Sequence, residues 1–226
     1  GEAEAYARSD YLADLMRGPR DKAAVDRVVA KVAQLTGLPE PVVRRYGGRI
    51  DAASYNREVN RPEGRSASMY DASVTGFAPD PPSAFSRAAD PFTTALAAPL
   101  TGAMLELYAA TLKWQPDGRY RTANMEANGA WNWGNATTSP SAVSDLKAAL
   151  DPRLMVLVAH GFTDLVTPYF ASELLLDQIP AYGEASRLRS VVYPGGHMFY
   201  SREDARKAFR RDALELYGDA GRKSVN

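Results

Sequence analysis

The sequence contains no cysteine among its 226 residues, which excludes disulfide bonds, cysteine-ligated zinc, iron–sulfur clusters and a thiol nucleophile. Histidine is nearly as scarce, because only His160 and His197 occur. Neither histidine lies in a motif with the ligand spacing of a metal site, so we predict no metal site and no cofactor. Any imidazole chemistry must use one of these two side chains.

An excess of charge of one sign and a long apolar run are also missing. Lysine and arginine total 27, and aspartate and glutamate also total 27, so the chain lacks the positive field that attracts nucleic acids or anionic membranes. The longest strongly apolar run covers residues 154–159, far short of the ~20 residues that span a bilayer. We expect neither nucleic acid nor a membrane as a partner.

Helical patterns dominate the first 138 residues. Apolar side chains recur at helical spacing, and the good N-cap residues Asp51 and Asp90 precede two of the segments. Pro99 is expected to kink or divide the last of these helices, because proline lacks an N–H and clashes with the preceding turn. The predicted helices cover residues 3–16, 25–35, 41–46, 52–59 and 91–112.

Two stretches of this first part lack such a pattern. Residues 61–89 are rich in proline and glycine, so we predict a long surface excursion without regular elements. Residues 114–138 contain Trp114, Trp131 and Trp133 among glycines and asparagines. We expect these tryptophans to anchor a loop rather than to bind substrate, because large aromatic side chains supply buried area.

The pattern changes after residue 138. A helix is predicted from Ser139 to Leu150, and the apolar run 154–159 is typical of a strand buried on both faces in a parallel sheet. A helix at 169–178, a strand at 188–193 and a final amphipathic helix through Leu216 follow.

This order of elements predicts an α/β fold of the doubly wound kind. Two strands do not complete such a sheet, because a buried parallel strand needs neighbours on both edges. Either the helical first part is misinterpreted or most of the sheet lies in sequence outside this chain.

Asp164 and His197 follow the two predicted strands, where functional side chains cluster in open α/β sheets. The interval between them fits one crossover helix with its loops, so the two side chains could meet. A carboxylate bonded to one imidazole nitrogen fixes the tautomer while the other nitrogen takes a proton from a nucleophile. The same pattern also fits a turn or helix cap for Asp164 and a capping or core role for His197.

A catalytic triad of the α/β-hydrolase order needs a serine before the aspartate. No G-x-S-x-G motif occurs in the chain. The nearest approach, from Gly64 to Ser68, lacks the closing glycine and a preceding buried strand, so Ser66 is a poor candidate nucleophile. We expect the nucleophile to lie outside this chain.

The segments around Asp164 and His197 are HGFTDLVTP at 160–168 and GGHM at 195–198, which we call the histidine turn. These two segments resemble the serine carboxypeptidase family, whose NG-x-x-D-x-x-x-P segment carries the triad aspartate and whose GHM turn carries the histidine. The bacterial branch is also similar in the helix at 3–15, in the WNWG segment at 131–134 and in the aromatic pair at 199–200. One difference is His160, where the family usually has asparagine; we interpret His160 as structural.

The resemblance implies the C-terminal part of an α/β-hydrolase fold, with a helical cap at 1–138 and the closing strands and helices of a mostly parallel sheet at 139–226. It implies that Asp164 orients His197 and that His197 acts as general base and acid. It also implies a peptide substrate, a secreted or periplasmic location, and a nucleophilic serine upstream of Gly1 in an N-terminal chain of the same hydrolase. Some members of the family are cleaved into two chains that stay associated.

Two other interpretations stay open. The chain could belong to another α/β-hydrolase, such as a prolyl aminopeptidase or an esterase, whose Asp and His loops look alike. It could also be a non-catalytic orphan domain that retains Asp164 and His197 without a nucleophile.

Overall fold

A computed structural model describes residues 1–78, 90–115, 117–132, 143–150, 154–180 and 187–223, and within these ranges the fold mixes helices with two small sheets. The helices are α1 (Glu2–Ala7), α2 (Asp10–Arg17), α3 (Lys22–Thr36), α4 (Glu40–Arg45), α5 (Ala52–Val59), α6 (Pro91–Glu106), α7 (Met125–Ala130), α8 (Val143–Leu150), α9 (Tyr169–Leu176) and α10 (Glu203–Lys223). The strands are β1 (Arg65–Ala67), β2 (Thr75–Phe77), β3 (Val156–Gly161) and β4 (Leu188–Tyr193).

The first five helices pack around an aliphatic core. Its buried members come from α3, the following loop and α4: Val28, Val29, Val32, Leu38 and Val43. Asp21 caps α3 by accepting the N–H of Ala24, and Asp51 caps α5 by accepting the N–H of Ser54, as its N-cap character predicts. The predicted helices at 25–35, 41–46 and 52–59 are confirmed.

The single helix predicted over 3–16 is two helices, α1 and α2, which meet at Ser9. The Ser9 hydroxyl donates to the carbonyl oxygen of Ala5 at 2.8 Å, and the Ser9 backbone leaves the helical region at φ −131° and ψ −105°. Serine competes with helical hydrogen bonding through such local bonds, and apolar spacing alone does not reveal this competition.

Helix α6 starts as predicted, because the Asp90 side chain accepts the N–H groups of Phe92 and Thr93. The expectation that Pro99 divides this helix is wrong, since α6 continues through Pro99 to Glu106. A turn of π-helix at 107–111 then extends it. Among the described residues, no helix combines the length and the apolar character needed to cross a bilayer.

The described part of the stretch 114–138 contains α7, a helix that the absence of a helical pattern did not predict. Asn124 caps it by accepting the N–H groups of Glu126 and Ala127. Trp131 is 67% exposed and Trp114 is 52% exposed, so neither is the buried anchor that we predicted. Trp133 and the predicted helix start at Ser139 lie outside the described residues.

The stretch predicted as a surface excursion without regular elements contains an antiparallel hairpin. Strands β1 and β2 pair with Arg65 opposite Phe77 and Ala67 opposite Thr75. The loop at 68–74 joins them, and we call it the hairpin loop. Ser68 and Asp71 in this loop are buried, so the segment packs into the protein instead of lying on its surface. Residues 79–89 of the same stretch lie outside the described residues.

Strands β3 and β4 form the predicted parallel pair, with Val156 opposite Leu188 and Gly161 opposite Tyr193. The helix and strand order of the α/β interpretation is therefore present from α8 to α10. The prediction that β3 is buried on both faces is wrong. Val156–Ala159 are half-buried, and only the last two residues of the strand are buried. Within the described part of the chain, no third strand pairs with either edge of this sheet.

Helix α10 covers the end of this sheet through an aromatic cluster. Tyr193, Phe199 and Ala205 are buried, and Phe209 packs edge-on against both aromatic rings. The Tyr193 hydroxyl donates to Asp212 of α10 at 2.5 Å. Burial, together with this carboxylate, raises the pKa of Tyr193, so the phenol keeps its proton at neutral pH.

Helix α1 contacts α9 through polar groups. The Tyr169 hydroxyl donates to Glu4 at 2.5 Å, and Arg8 pairs with Asp177 at 2.7 Å. The Glu4 carboxylate and burial raise the pKa of Tyr169 to about 12. The first helix of the chain therefore contacts the crossover helix between the two parallel strands.

Candidate active site

The loops that follow β3 and β4 lie side by side because the parallel pairing continues beyond the strands. The N–H of Phe162 donates to the carbonyl of Tyr193 at 2.9 Å, and the N–H of Thr163 donates to the carbonyl of Gly195 at 2.9 Å. A Cβ at Gly161 would clash with the backbone of residues 195 and 196. The glycine thus permits the two loops to approach closely.

His197 and Asp164 are in direct contact. The His197 Nδ1 atom lies 2.9 Å from Asp164 Oδ2, and the imidazole is 38% exposed whereas the carboxylate is 3% exposed. A neutral imidazole that donates from Nδ1 to a carboxylate carries its lone pair on Nε2. The structure therefore brings together the two residues that the sequence singled out, in the arrangement of an orienting acid and a proton acceptor.

Asp164 uses its two oxygens differently. Oδ1 accepts the N–H groups of Val166 at 2.8 Å and Thr167 at 3.0 Å, which is the turn role that the sequence also allowed. Oδ2 accepts the Thr167 hydroxyl at 2.6 Å in addition to its contact with His197. Oδ1 thus closes the turn, and Oδ2 makes the contact with His197.

The carboxylate of Asp164 stays ionised well into acidic solution. Burial on its own would raise its pKa, but the hydroxyl and N–H of Thr167, the His197 ring and the N–H of Val166 outweigh burial and lower it. An ionised Asp164 accepts a hydrogen bond from Nδ1 of His197 when the ring carries its proton on that nitrogen. This is the condition under which Nε2 can accept a proton from another group.

The hairpin loop contacts both of the loops that carry Asp164 and His197, which we call the site loops. The N–H of His197 donates to the carbonyl of Tyr70 at 2.6 Å, and the Tyr70 ring stands edge-on to the imidazole at a centroid distance of 5.5 Å. On the other side, Ala72 donates to the carbonyl of Thr163 at 2.9 Å and Leu165 donates to that of Met69 at 3.1 Å. These contacts fix the backbones that carry the Asp164 and His197 side chains.

A second buried carboxylate, Asp71, lies in the hairpin loop. Its Oδ1 accepts the N–H of Ser73 at 3.0 Å, the Ser73 hydroxyl at 2.6 Å and the Thr163 hydroxyl at 2.7 Å. The Arg202 guanidinium lies 3.7 Å from its Oδ2. Burial opposes ionisation, but the bonds from Ser73 and Thr163 and the charge of Arg202 lower the pKa of Asp71.

Sequence reasoning missed the hairpin loop as part of the site. The one local signal is the D-x-S pattern of Asp71 and Ser73, which is typical of a turn closed by an aspartate side chain. That pattern predicts a turn, but it does not reveal what the turn packs against. Asp71 bonds to Thr163, which lies 92 positions later in the chain.

Two serines of the hairpin, Ser66 and Ser68, differ in their surroundings. Ser66 lies in β1 opposite Gly76, and the fully buried Ser68 donates its hydroxyl to Asp90 at 2.7 Å. No serine among the described residues hydrogen-bonds to His197.

His160 lies at the end of β3, opposite Val192, and is buried. Its Nε2 atom has no hydrogen-bond partner. The ring therefore packs inside the protein, as expected. Among the described residues, no three His, Asp or Glu side chains come together as a metal ion would require.

No family model matches this chain, and no curated protein or solved structure matches it. A function for the chain must therefore be argued from the geometry around Asp164 and His197 and from the resemblance of the segments at 160–168 and 195–198.

Proposed function

We propose that this chain is the C-terminal part of a serine carboxypeptidase-like hydrolase, in which His197 is the general base and acid and Asp164 orients it. One observation carries this proposal: the 2.9 Å contact between His197 Nδ1 and the buried carboxyl group of Asp164. A histidine that contacts a buried carboxylate through Nδ1 while its side chain stays 38% exposed suits proton transfer better than it suits packing.

The reaction follows from the ring geometry. Nε2 of His197 takes the proton of a serine hydroxyl as the serine oxygen bonds to the carbonyl carbon of the substrate. The resulting imidazolium is stabilised by Asp164, which keeps its own negative charge. His197 then gives the same proton to the leaving amine as the scissile bond breaks, and a water molecule repeats the sequence to release the acyl group from serine.

In this proposal, an N-terminal part of the same hydrolase supplies the serine and the oxyanion hole. Two features support such a partner. The strands β3 and β4 each present an unpaired edge within the described part of the chain, and an open parallel sheet of two strands is not a stable unit. Apolar side chains just before β3 and in α9 are also exposed, including Leu154 at 46% and Leu175 at 56%.

The α/β-hydrolase fold, with residues 1–138 as a helical cap, belongs to the same proposal. A peptide substrate and a secreted or periplasmic location are supported by the resemblance of the Asp and His segments alone. We call the chain together with the proposed N-terminal part the assembled protein.

Intact-mass analysis under denaturing conditions, before and after treatment with a fluorophosphonate, tests the proposal. We expect a second polypeptide, or an N-terminal extension of this one, to gain the mass of one adduct, because fluorophosphonates react with serines activated by a general base. The 24.6 kDa chain itself should stay unlabelled.

Two outcomes would contradict the proposal. An adduct on a serine of the 226 residues would remove the need for a partner, and absence of any adduct on folded protein would favour a non-catalytic domain. Where labelling succeeds, peptides with a blocked N-terminus and peptides with a blocked C-terminus distinguish a carboxypeptidase from an aminopeptidase, since each requires a different free end.

A further inference from the structure

The hairpin loop contains a charged group that reaches the candidate site without touching either of its two residues. Asp71 is 4% exposed, and its Oδ1 accepts the hydroxyl of Thr163, the residue immediately before Asp164. Its Oδ2 faces Arg202, which follows the histidine turn. One buried carboxylate thus connects the loop that carries Asp164 with the segment that follows His197.

Asp71 and Arg202 also lie close to the two glycines before His197. A Cβ at Gly195 would lie 3.1 Å from the Arg202 side chain, and a Cβ at Gly196 would lie 2.6 Å from the Asp71 Cα atom. The hairpin loop therefore packs directly on the two glycines of the histidine turn, which precede His197. Short glycine turns have no intrinsic rigidity, so a packed neighbour must set their conformation.

We propose that Asp71 is a positioning residue for the Asp164–His197 pair, acting through Thr163 on one loop and through Arg202 on the other. This inference rests on the proposed function, because it gives the hairpin loop a role in the geometry of that same site. Without the Asp71 bonds, the loop at 162–167 can shift away from the histidine turn, and the contact between His197 Nδ1 and Asp164 lengthens.

The alternative is that Asp71 only stabilises the fold. A buried carboxylate with three hydrogen bonds and a nearby guanidinium contributes to stability wherever it occurs. The two roles differ in what they predict for folded molecules. A positioning role changes the state of the His197 ring in protein that remains folded, whereas a purely structural role changes the folded fraction alone.

The test uses Thr163→Val and Asp71→Asn. The first variant removes, with little change of shape, the hydroxyl that donates to Asp71, and the second neutralises the carboxylate. Glu58→Gln is the matched control, because Glu58 is also a buried acid paired with an arginine, Arg61, but lies in α5 and has no hydrogen bond to the loops that carry Asp164 and His197.

The readout is nitrogen NMR of the assembled protein with 15N-labelled histidine in this chain. The chain has only two histidines, so the His197 signals are identified by their loss in His197→Gln. In the unmodified protein we expect one fixed tautomer, with the proton on Nδ1. Thr163→Val and Asp71→Asn should shift both ring nitrogens toward averaged values and slow fluorophosphonate labelling by about 10- to 100-fold. Glu58→Gln should change neither.

The double variant Thr163→Val/Asp71→Asn tests whether the two residues act through the same hydrogen bond. If Asp71 acts through the Thr163 bond, the double variant should label no more than about twofold more slowly than the slower single variant. Unchanged ring signals and an unchanged labelling rate in folded Thr163→Val and Asp71→Asn would overturn the inference and leave the proposed function intact. If Asp71→Asn does not fold, Thr163→Val alone decides. A His197 ring without a fixed tautomer in the unmodified protein would overturn the proposed function as well.

Discussion

The backbone N–H of His197 donates to the carbonyl oxygen of Tyr70 at 2.6 Å, which joins the turn after the last strand to a hairpin formed much earlier in the chain. The Tyr70 ring also stands edge-on to the imidazole. The orientation of His197 therefore depends on two separate parts of the sequence: the carboxylate of Asp164 on one side and the hairpin loop on the other.

Close approach of the hairpin loop to the histidine turn should make Gly196 intolerant of any side chain. A Cβ at this position would clash with the carbonyl oxygen of Tyr70 and with Asp71. We expect Gly196→Ala to lower the free energy of unfolding by about 3 kcal/mol or more, because backbone atoms cannot move aside as flexible side chains do. Urea unfolding of the assembled protein measures this change.

Gly102→Ala is the matched control for that experiment. Gly102 lies inside α6 and nothing lies within 4 Å of a Cβ placed there. Alanine in a helix interior is favoured over glycine by about 0.5–1 kcal/mol, so this variant should be slightly more stable. Equal effects of the two substitutions would contradict the close packing of the hairpin loop on the turn.

The Thr167 hydroxyl should help to keep the Asp164 carboxyl group ionised. It donates to Asp164 Oδ2 at 2.6 Å and lies 3.3 Å from His197 Nδ1. Thr167→Val keeps the shape but removes this donor, so we expect the pKa of Asp164 to rise and the free energy of unfolding at neutral pH to fall by about 1–2 kcal/mol. Carbon NMR of the Asp164 carboxyl across an acid titration checks the pKa.

Thr167→Ser restores the hydroxyl and is the control for that effect. It should return the pKa of Asp164 toward the value in the unmodified protein. A Thr167→Val variant whose Asp164 titrates unchanged would show that the hydroxyl is not a partner of the carboxylate.

Acid should weaken the protein partly through Asp164. Because the pKa of Asp164 is lower in the folded state than in the unfolded state, its contribution is fully present above the ordinary aspartate value of about 3.9. The contribution is lost as the pH falls from there through the lower folded pKa. We therefore expect Asp164→Asn to cost stability at pH 7 and to differ less from the unmodified protein at pH 2, as measured by urea unfolding at each pH.

The opposite trend would contradict this argument. If the difference between Asp164→Asn and the unmodified protein grew on acidification, the folded state would hold the protonated carboxyl more tightly than the unfolded state does. Asp71 has a lowered pKa for similar reasons, so the unmodified protein should retain some acid sensitivity in the Asp164→Asn variant.

The elements that depend on local signals are predictable from the sequence. Strand β4 has the predicted bounds at 188–193, and α6 begins after Asp90 where a cap and a proline at the first helical position indicate a start. The meeting of Asp164 and His197 also follows from local information, because parallel neighbouring strands end at the same edge of a sheet.

The features that depend on distant contacts are not predictable in this way. The hairpin of β1 and β2 has strands of three residues each, too short for an alternating pattern to stand out. Its position against the histidine turn comes from glycines that leave space for it, and a glycine indicates space without indicating what fills it. The half-burial of β3 likewise depends on what covers the sheet, which an apolar run does not specify.

If the chain needs the proposed N-terminal part, the chain alone should be poorly folded. Strands β3 and β4 have unpaired edges within the described residues, so the 226-residue chain alone should lack a sharp, cooperative thermal transition. Adding the proposed N-terminal part should produce one. Circular dichroism at high dilution measures both states, and a cooperative transition of the isolated chain would count heavily against a missing partner.

The rate of fluorophosphonate labelling of the assembled protein, with and without His197→Gln, tests the central claim most directly. If His197 activates a serine outside this chain, His197→Gln should slow labelling of that serine by about 10²- to 10⁴-fold, while Glu58→Gln labels as fast as the unmodified protein. Equal labelling rates in His197→Gln and the unmodified protein would show that His197 and Asp164 do not form the working acid–base pair of a hydrolase.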